Sequence, residues 1–196
     1  MHIETLILPT RQLETQRRFY TQTLGLTTKH ETPTSVTFRT GTTRLTWQQD
    51  DLCSGFYHLA WDIAPTQVEA AERWLLARVK LLAAPDGQTR FPPGGNWNTT
   101  TLYFEDPAEH ILEFVARHDS ADRASRPFGA HALQRLSEFG VVVLDVNAAV
   151  DSLSRFNGGS DTFTPLGSHE GMLIVVRDGR GWFPTGRGQQ FRLNSS

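Results

Sequence analysis

A chain of 196 residues, 38% hydrophobic and 20% charged, has the profile of a globular protein with one domain or two small units around a common core. Its formal net charge of −2 gives no basic field, so we expect neither nucleic acid nor a membrane as a partner. The longest apolar runs, such as VVVL at 141–144, are too short to span a bilayer. With a single cysteine and no export-signal pattern at the start, we expect a cytoplasmic protein.

The first fifty residues predict a β-α-β-β-β unit. Residues 3–8 are typical of a strand, and residues 12–23 of a helix with apolar side chains on one face. A second strand is predicted at 26–31. Polar and apolar residues then alternate through 35–40 and 43–49, which indicates a hairpin.

The same order of elements then repeats. A strand is predicted at 56–63 and a helix with an apolar stripe at 67–82. Two strands follow at 100–105 and 110–116, joined by a turn that contains Asp-Pro. An internal repeat of about fifty residues indicates two copies of one structural unit.

A third, shorter copy completes the chain. We call residues 1–52 module 1 and residues 54–118 module 2, which we expect to pair. A polar linker at 119–134 leads into module 3, residues 135–196, where a strand, a helix and a hairpin precede a tail rich in glycine and proline. The prediction is an α+β fold of repeated βαβββ modules, with the third one partial.

Three segments resemble motifs of one protein superfamily. RRFYTQTLGL at 17–26 resembles the FY-x-x-x-LGL helix end of the vicinal oxygen chelate superfamily, which includes glyoxalase I, bleomycin resistance proteins and extradiol dioxygenases. LYFEDPAEHILEF at 102–114 resembles its YF-x-DP-x-GN-x-LEF strand-turn-strand, and YHLAWDI at 57–63 its histidine-bearing strand. Module 3 and WFPTG at 182–186 resemble a three-module branch. The resemblance implies two modules paired around a shared cavity, plus a third partial module.

The resemblance also implies where a metal would bind. In the superfamily, metal ligands come from the first and last strands of paired modules. The matching positions here are Thr5 and Thr46 in module 1, and His58 and Glu113 in module 2. The threonines are weak ligands, so the expected site is a divalent ion (Fe, Mn, Zn or Ni) on His58 and Glu113 alone.

Strand alternation independently turns His58 and Glu113 toward the same side. Along 56–63, His58 and Asp62 lie opposite the apolar residues that a helix should cover. Along 110–116, Glu113 lies opposite Leu112 and Phe114. The pair has two interpretations: metal ligands, or a hydrogen-bonded pair that lines the cavity and works as a general acid or base.

Other side chains are candidates for contact with a ligand. Thr5, Thr46, Asp62 and Thr100 are expected in the cavity. Trp97 and Trp182 lie in loops rich in glycine and proline, which favours closure over a ligand.

The remaining charged residues of 102–114 are expected elsewhere. Asp106 belongs to the turn, where its side chain can bond to nearby backbone. Glu109 and His110 stand where the superfamily has Gly-Asn, and we expect both to face solvent. Glu113 is therefore the carboxylate predicted to point inward from a strand interior.

Two functions fit these features. The first is an enzyme, a metal-assisted lyase, isomerase or dioxygenase acting on a small oxygenated or aromatic molecule. The second is a metal-free binding protein that sequesters such a compound, as in bleomycin resistance. An exposed sheet edge in module 3 favours a homodimer.

Overall fold

The computed structural model describes residues 1–121, 124, 127–153 and 160–188. Module 1 follows the predicted order. Its elements are β1 (Thr5–Thr10), α1 (Leu13–Arg18) with a π-helical turn (Phe19–Thr23), β2 (Thr27–Thr32), β3 (Ser35–Thr40) and β4 (Thr43–Gln49). The hairpin of β3 and β4 has the predicted bounds because period-two alternation continues through both strands.

Module 2 repeats that order with a short extra strand before the hairpin. It contains β5 (His58–Ile63), a 3-10 turn (Pro65–Gln67), α2 (Val68–Leu76), β6 (Arg90–Phe91), β7 (Thr99–Glu105) and β8 (Ile111–Arg117). The helix ends before the predicted residue 82. Leu81 instead forms a β-bridge with Phe104, and the Leu82 N–H donates to the Tyr103 carbonyl, so this stretch pairs with β7.

Module 3 has the predicted strand, helix and hairpin. A 3-10 turn (Ala130–Ala132) leads into β9 (Arg135–Val143), α3 (Val146–Leu153), β10 (Phe163–Ser168) and β11 (Gly171–Arg177). A small ribbon of β12 (Gly181–Trp182) and β13 (Arg187–Gly188) follows. The sequence predicts the helix of module 3 at 147–157, and the end of that range lies outside the described residues. No helix in the described part of the chain is long and apolar enough to cross a membrane.

The strands form two main sheets, and the larger one joins modules 2 and 3. Module 1 makes a four-stranded sheet in the order β1-β4-β3-β2. The other sheet has seven strands in the order β10-β11-β9-β5-β8-β7-β6. At its centre β5 runs antiparallel to β9, with Leu59 opposite Phe139 and Ala60 opposite Glu138. The sheet shared between modules is therefore that of modules 2 and 3, whereas the sequence predicts that modules 1 and 2 pair.

Modules 1 and 2 are held together by a common hydrophobic core instead. One cluster of buried residues contains Phe38 and Trp47 of module 1 with Trp61 and Phe114 of module 2. Full burial of each such side chain contributes about 1.5–3 kcal/mol. Since one face of β5 and β8 is committed to this core, their other face is left for a site.

Candidate functional site

A cavity of about 440 Å³ lies over that other face of the seven-stranded sheet. Its wall is strongly aromatic and contains Phe91, Trp97, Tyr103, Phe163, Trp182 and Phe183. The polar side chains that reach it are His58, Thr99, Thr101, Glu113, Glu138 and Arg180. A mainly aromatic wall with a few convergent polar groups is typical of a small-molecule site.

His58 and Glu113 meet on neighbouring parallel strands. Ala60 of β5 stands beside Glu113 of β8, so His58, two residues earlier, shares the same face. His58 Nε2 lies 3.0 Å from Glu113 Oε2, and the two residues are only 5% and 4% exposed. The structure thus brings together the two side chains that strand alternation turned the same way.

Tyr103 adds a hydroxyl beside this pair. It stands directly opposite Glu113 in the antiparallel register of β7 and β8. Burial, and then the Glu113 carboxylate, raise the pKa of Tyr103 well above its ordinary value, so the phenol stays protonated and can donate. Sequence reasoning missed Tyr103, although counting the hairpin register back from Glu113 would have found it.

Glu138 is a further cavity residue that sequence reasoning missed. Its carboxylate Oε1 accepts from Arg117 Nη2 at 2.6 Å. Burial, and then the Glu113 carboxylate, raise the pKa of Glu138, while Arg117 opposes that rise. Alternation along β9 puts Glu138 on one face, but only the pairing of β9 with β5 shows that this face lines the site.

Both carboxylate oxygens of Asp62 accept hydrogen bonds from arginines, and Asp62 lies outside the cavity wall. Arg117 Nε donates to Asp62 Oδ1 at 3.1 Å, and Arg135 Nε donates to Oδ2 at 2.9 Å. Asp62, expected in the cavity, is therefore not among the side chains that line it. Its carboxylate instead holds the arginine that also binds Glu138.

Trp182 covers His58. The two rings are stacked, with centroids 5.0 Å apart and planes inclined by 24°. Gly140 makes this contact possible: a Cβ there would stand 2.5 Å from Trp182 Cη2 and 2.9 Å from His58 Cβ. An indole ring thus fills the space where β9 could have presented a side chain next to His58. Trp97 also lies in the cavity wall.

The predicted threonines lie elsewhere. Thr5 and Thr46 belong to the separate sheet of module 1, where Thr5 Oγ1 accepts from Arg44 and Thr46 bonds to Thr37 at 2.8 Å. Their expected place in the cavity was wrong because the cavity lies between modules 2 and 3. Thr100 points to the opposite side of β7 from its neighbours and bonds to His118 Nε2 at 2.8 Å. Its neighbours Thr99 and Thr101 line the cavity in its place.

The turn between β7 and β8 departs from expectation at one residue. Asp106 Oδ1 accepts from the backbone N–H groups of Ala108 and His110, as the turn chemistry predicted. His110, expected in solvent, is only 3% exposed and stacks on Trp47 with centroids 5.2 Å apart. Its Nδ1 accepts from the Tyr57 N–H, and burial lowers the pKa of His110 to about 4. Glu109 is exposed, with a φ of 65°.

The donor set does not fit a tightly held catalytic metal. Such ions usually take three protein ligands. Within the described residues, no three side chains of His, Cys, Asp or Glu converge as a metal site requires. His58 and Glu113 supply two donors, Glu138 is held by Arg117, and Gly140 has no side chain to offer.

Sequence comparison and structure comparison give different results. No protein-family model matches the sequence, and no curated protein sequence matches it. Solved structures do match. A proposed dioxygenase from Bacillus subtilis superposes with a TM-score of 0.65 at 15% identity, covering 97% of this chain and 66% of that one.

A second solved structure matches a shorter part of this chain. A glyoxalase/bleomycin resistance protein/dioxygenase from Nocardioides has a TM-score of 0.48 at 20% identity, covering 64% of this chain and 89% of that one. The fold assignment rests on the longer match, together with two βαβββ modules and the shared sheet of modules 2 and 3. The chain therefore has the fold of the vicinal oxygen chelate superfamily, the group of glyoxalases, bleomycin resistance proteins and dioxygenases.

Proposed function

We propose that the cavity binds a small planar molecule, aromatic or oxygenated, and that His58 and Glu113 exchange a proton with it. The observation that carries the proposal is the buried His58–Glu113 pair, 3.0 Å apart, at the wall of an aromatic cavity of about 440 Å³. A volume of that size suits a molecule of one or two rings. Aromatic walls bind planar ligands by stacking.

The chemistry follows from the partners of each atom. When Nε2–H of His58 donates to Glu113, the carboxylate fixes the imidazole tautomer and leaves Nδ1 as the basic nitrogen. Nδ1 has no hydrogen-bond partner among the described residues. Nδ1 is a buried atom under the stacked Trp182 ring, so a ligand proton reaches it when that ring moves aside; Glu113 then stabilises the imidazolium that forms.

The negative charge that then develops on a ligand oxygen needs donors. Tyr103 stays protonated, and Thr101 presents a hydroxyl on the same face of β7. Arg180 also reaches the wall and brings a positive charge. These groups favour an enolate or phenolate over its neutral form.

The test uses 4-nitrocatechol, whose colour reports its ionisation, in buffer that contains a chelator. We expect wild type to bind the probe and shift its spectrum toward the phenolate. The His58→Phe/Glu113→Gln variant should lose the shift. Thr100→Ala is the matched control, because its side chain lies on the other side of β7 and bonds to His118. Equal spectral shifts in wild type and the double variant would reject the acid–base role.

A binding protein without catalysis is the second candidate. The six aromatic side chains of the wall and the two-donor metal set favour it. It predicts that the His58→Phe/Glu113→Gln variant binds the probe as tightly as wild type, with no change of its ionisation in either protein.

Measurement of bound metal tests whether His58 and Glu113 supply too few ligands to hold an ion tightly. Protein purified without chelator or metal column should contain no stoichiometric Fe, Mn, Zn or Ni. A stoichiometric ion in wild type that is lost in His58→Ala/Glu113→Ala would overturn that argument and restore the metal-assisted enzyme.

A further inference from the structure

A second cavity, of about 540 Å³, lies away from the proposed site, between modules 1 and 2. It forms where the end of the π-helical turn and the start of β2 face α2 and the 3-10 turn before β9. Its basic lining residues are Lys29, Arg39, Arg78 and His131. None of its described lining residues is Asp or Glu, although the whole chain carries a net charge of −2.

Among the described residues, the two arginines of this basic pocket have uncharged hydrogen-bond acceptors. Arg39 Nε donates to the Gly41 carbonyl at 3.0 Å, and Arg78 Nη1 donates to the Trp74 carbonyl at 2.9 Å. Both acceptors are uncharged. Neither arginine nor Lys29 forms an ion pair with any carboxylate in the part of the chain that the structure describes.

Other arginines of the chain, in contrast, form ion pairs with carboxylates. Arg17, Arg117 and Arg177 each contact a carboxylate within 4.0 Å. Exposed cations are ordinarily solvated singly and need no explanation. Three permanent cations around one concave surface concentrate positive potential there, since a cleft lined by charges of one sign focuses their field.

The other polar residues of the lining suit a ligand with negatively charged oxygens. Gln22, Thr23 and Thr27 bring side chains that can donate hydrogen bonds to oxygen. The Arg78 guanidinium lies 4.3 Å above the Trp74 ring, which holds the plane of its donors against the pocket wall. Planar guanidinium groups bind phosphate and carboxylate oxygens in pairs.

We propose that the basic pocket binds a small polyanion that carries at least two phosphate or carboxylate groups. The site shares no lining residue with the aromatic cavity, so this proposal does not depend on the proposed function. Lys29 and Arg39 approach from module 1 and Arg78 from module 2, so a bound polyanion would bridge the two modules.

Titration calorimetry at low salt, with inorganic pyrophosphate and separately with citrate, tests the proposal. We expect at least one of them to bind, with an affinity that falls as sodium chloride is added. Arg39→Gln/Arg78→Gln should weaken binding about tenfold for each guanidinium removed. Lys29→Gln, at an exposed position, should also weaken it.

The matched control is Arg73→Gln, an exposed arginine of α2 that does not line the pocket. Binding of pyrophosphate alone would assign the site to phosphate groups, and binding of citrate alone to carboxylates. The proposal fails if wild type binds neither anion. It also fails if the Arg39→Gln/Arg78→Gln and Lys29→Gln variants bind like wild type, or if Arg73→Gln weakens binding as much as they do.

Discussion

Replacement of Arg117 with methionine is expected to destabilise the protein strongly. Arg117 is 3% exposed and donates to Glu138 Oε1 at 2.6 Å and Asp62 Oδ1 at 3.1 Å. Methionine keeps the length of the side chain but leaves both buried carboxylates without this partner. Removing one member of a buried ion pair costs about 3–5 kcal/mol, a large part of a typical stability of about 5–15 kcal/mol. For a chain of this size, that corresponds to a fall in Tm of roughly 6–20 °C.

The pH dependence of that loss identifies its cause. Burial already raises the pKa of Glu138, and loss of Arg117 removes an opposing effect, so the pKa of Glu138 rises further in the variant. A carboxyl group whose pKa is higher in the folded state costs stability above its unfolded pKa, and the cost shrinks as pH falls. The variant should therefore lose less stability at about pH 5 than at about pH 7.

Urea denaturation followed by circular dichroism measures both effects. Asp62 keeps its contact with Arg135 in this variant, so Arg117→Met/Glu138→Gln, which removes the charge of Glu138, should recover part of the loss. The reasoning is refuted if Arg117→Met costs under about 1 kcal/mol at neutral pH, or if the loss grows on acidification.

The remaining predictions concern single positions and assembly. Gly140→Ala should displace Trp182, at a cost of about 1–3 kcal/mol, and change its fluorescence; an unchanged spectrum contradicts the stacking. Burial raises the pKa of Asp106 to about 7, so stability should fall as pH rises from about 4 to 7. Asp106→Asn should flatten that slope in urea titrations. Glu109→Gly should stabilise the folded protein by a few tenths to about 1 kcal/mol, because φ is positive at this residue. A lower Tm for this variant would contradict strain at Glu109. The expected homodimer is checked by light scattering, where a monomer at high concentration would count against it.

Sequence reasoning predicted the faces of His58 and Glu113 and the turn contacts of Asp106 because local patterns determine them. Alternation along β5 and β8 sets the faces of His58 and Glu113, and the turn chemistry of Asp106 is local as well. The same reasoning misplaced His110, because stacking on Trp47 brings together residues of different modules. A local pattern carries no information about such a contact.

The identity of the partner strand was also beyond the sequence. Alternation tells which face a residue occupies, but not which strand lies alongside. Thr5 and Thr46 were assigned to the cavity on the assumption that module 1 supplies its other half, whereas β9 of module 3 pairs with β5. That pairing of β9 with β5 is what places Glu138 and Gly140 beside the cavity and His58.

The position of β5 and β8 inside the seven-stranded sheet has a consequence for amide hydrogen exchange. Each has a hydrogen-bonded neighbour on both sides, so the amides around His58 and Glu113 should be among the slowest to exchange. Trp97 and Phe183 lie outside the regular strands of that sheet, in segments that should exchange faster. We therefore expect the pair that is proposed to transfer protons to be held rigidly beneath a more mobile wall, which would let one chemistry act on ligands of different outline.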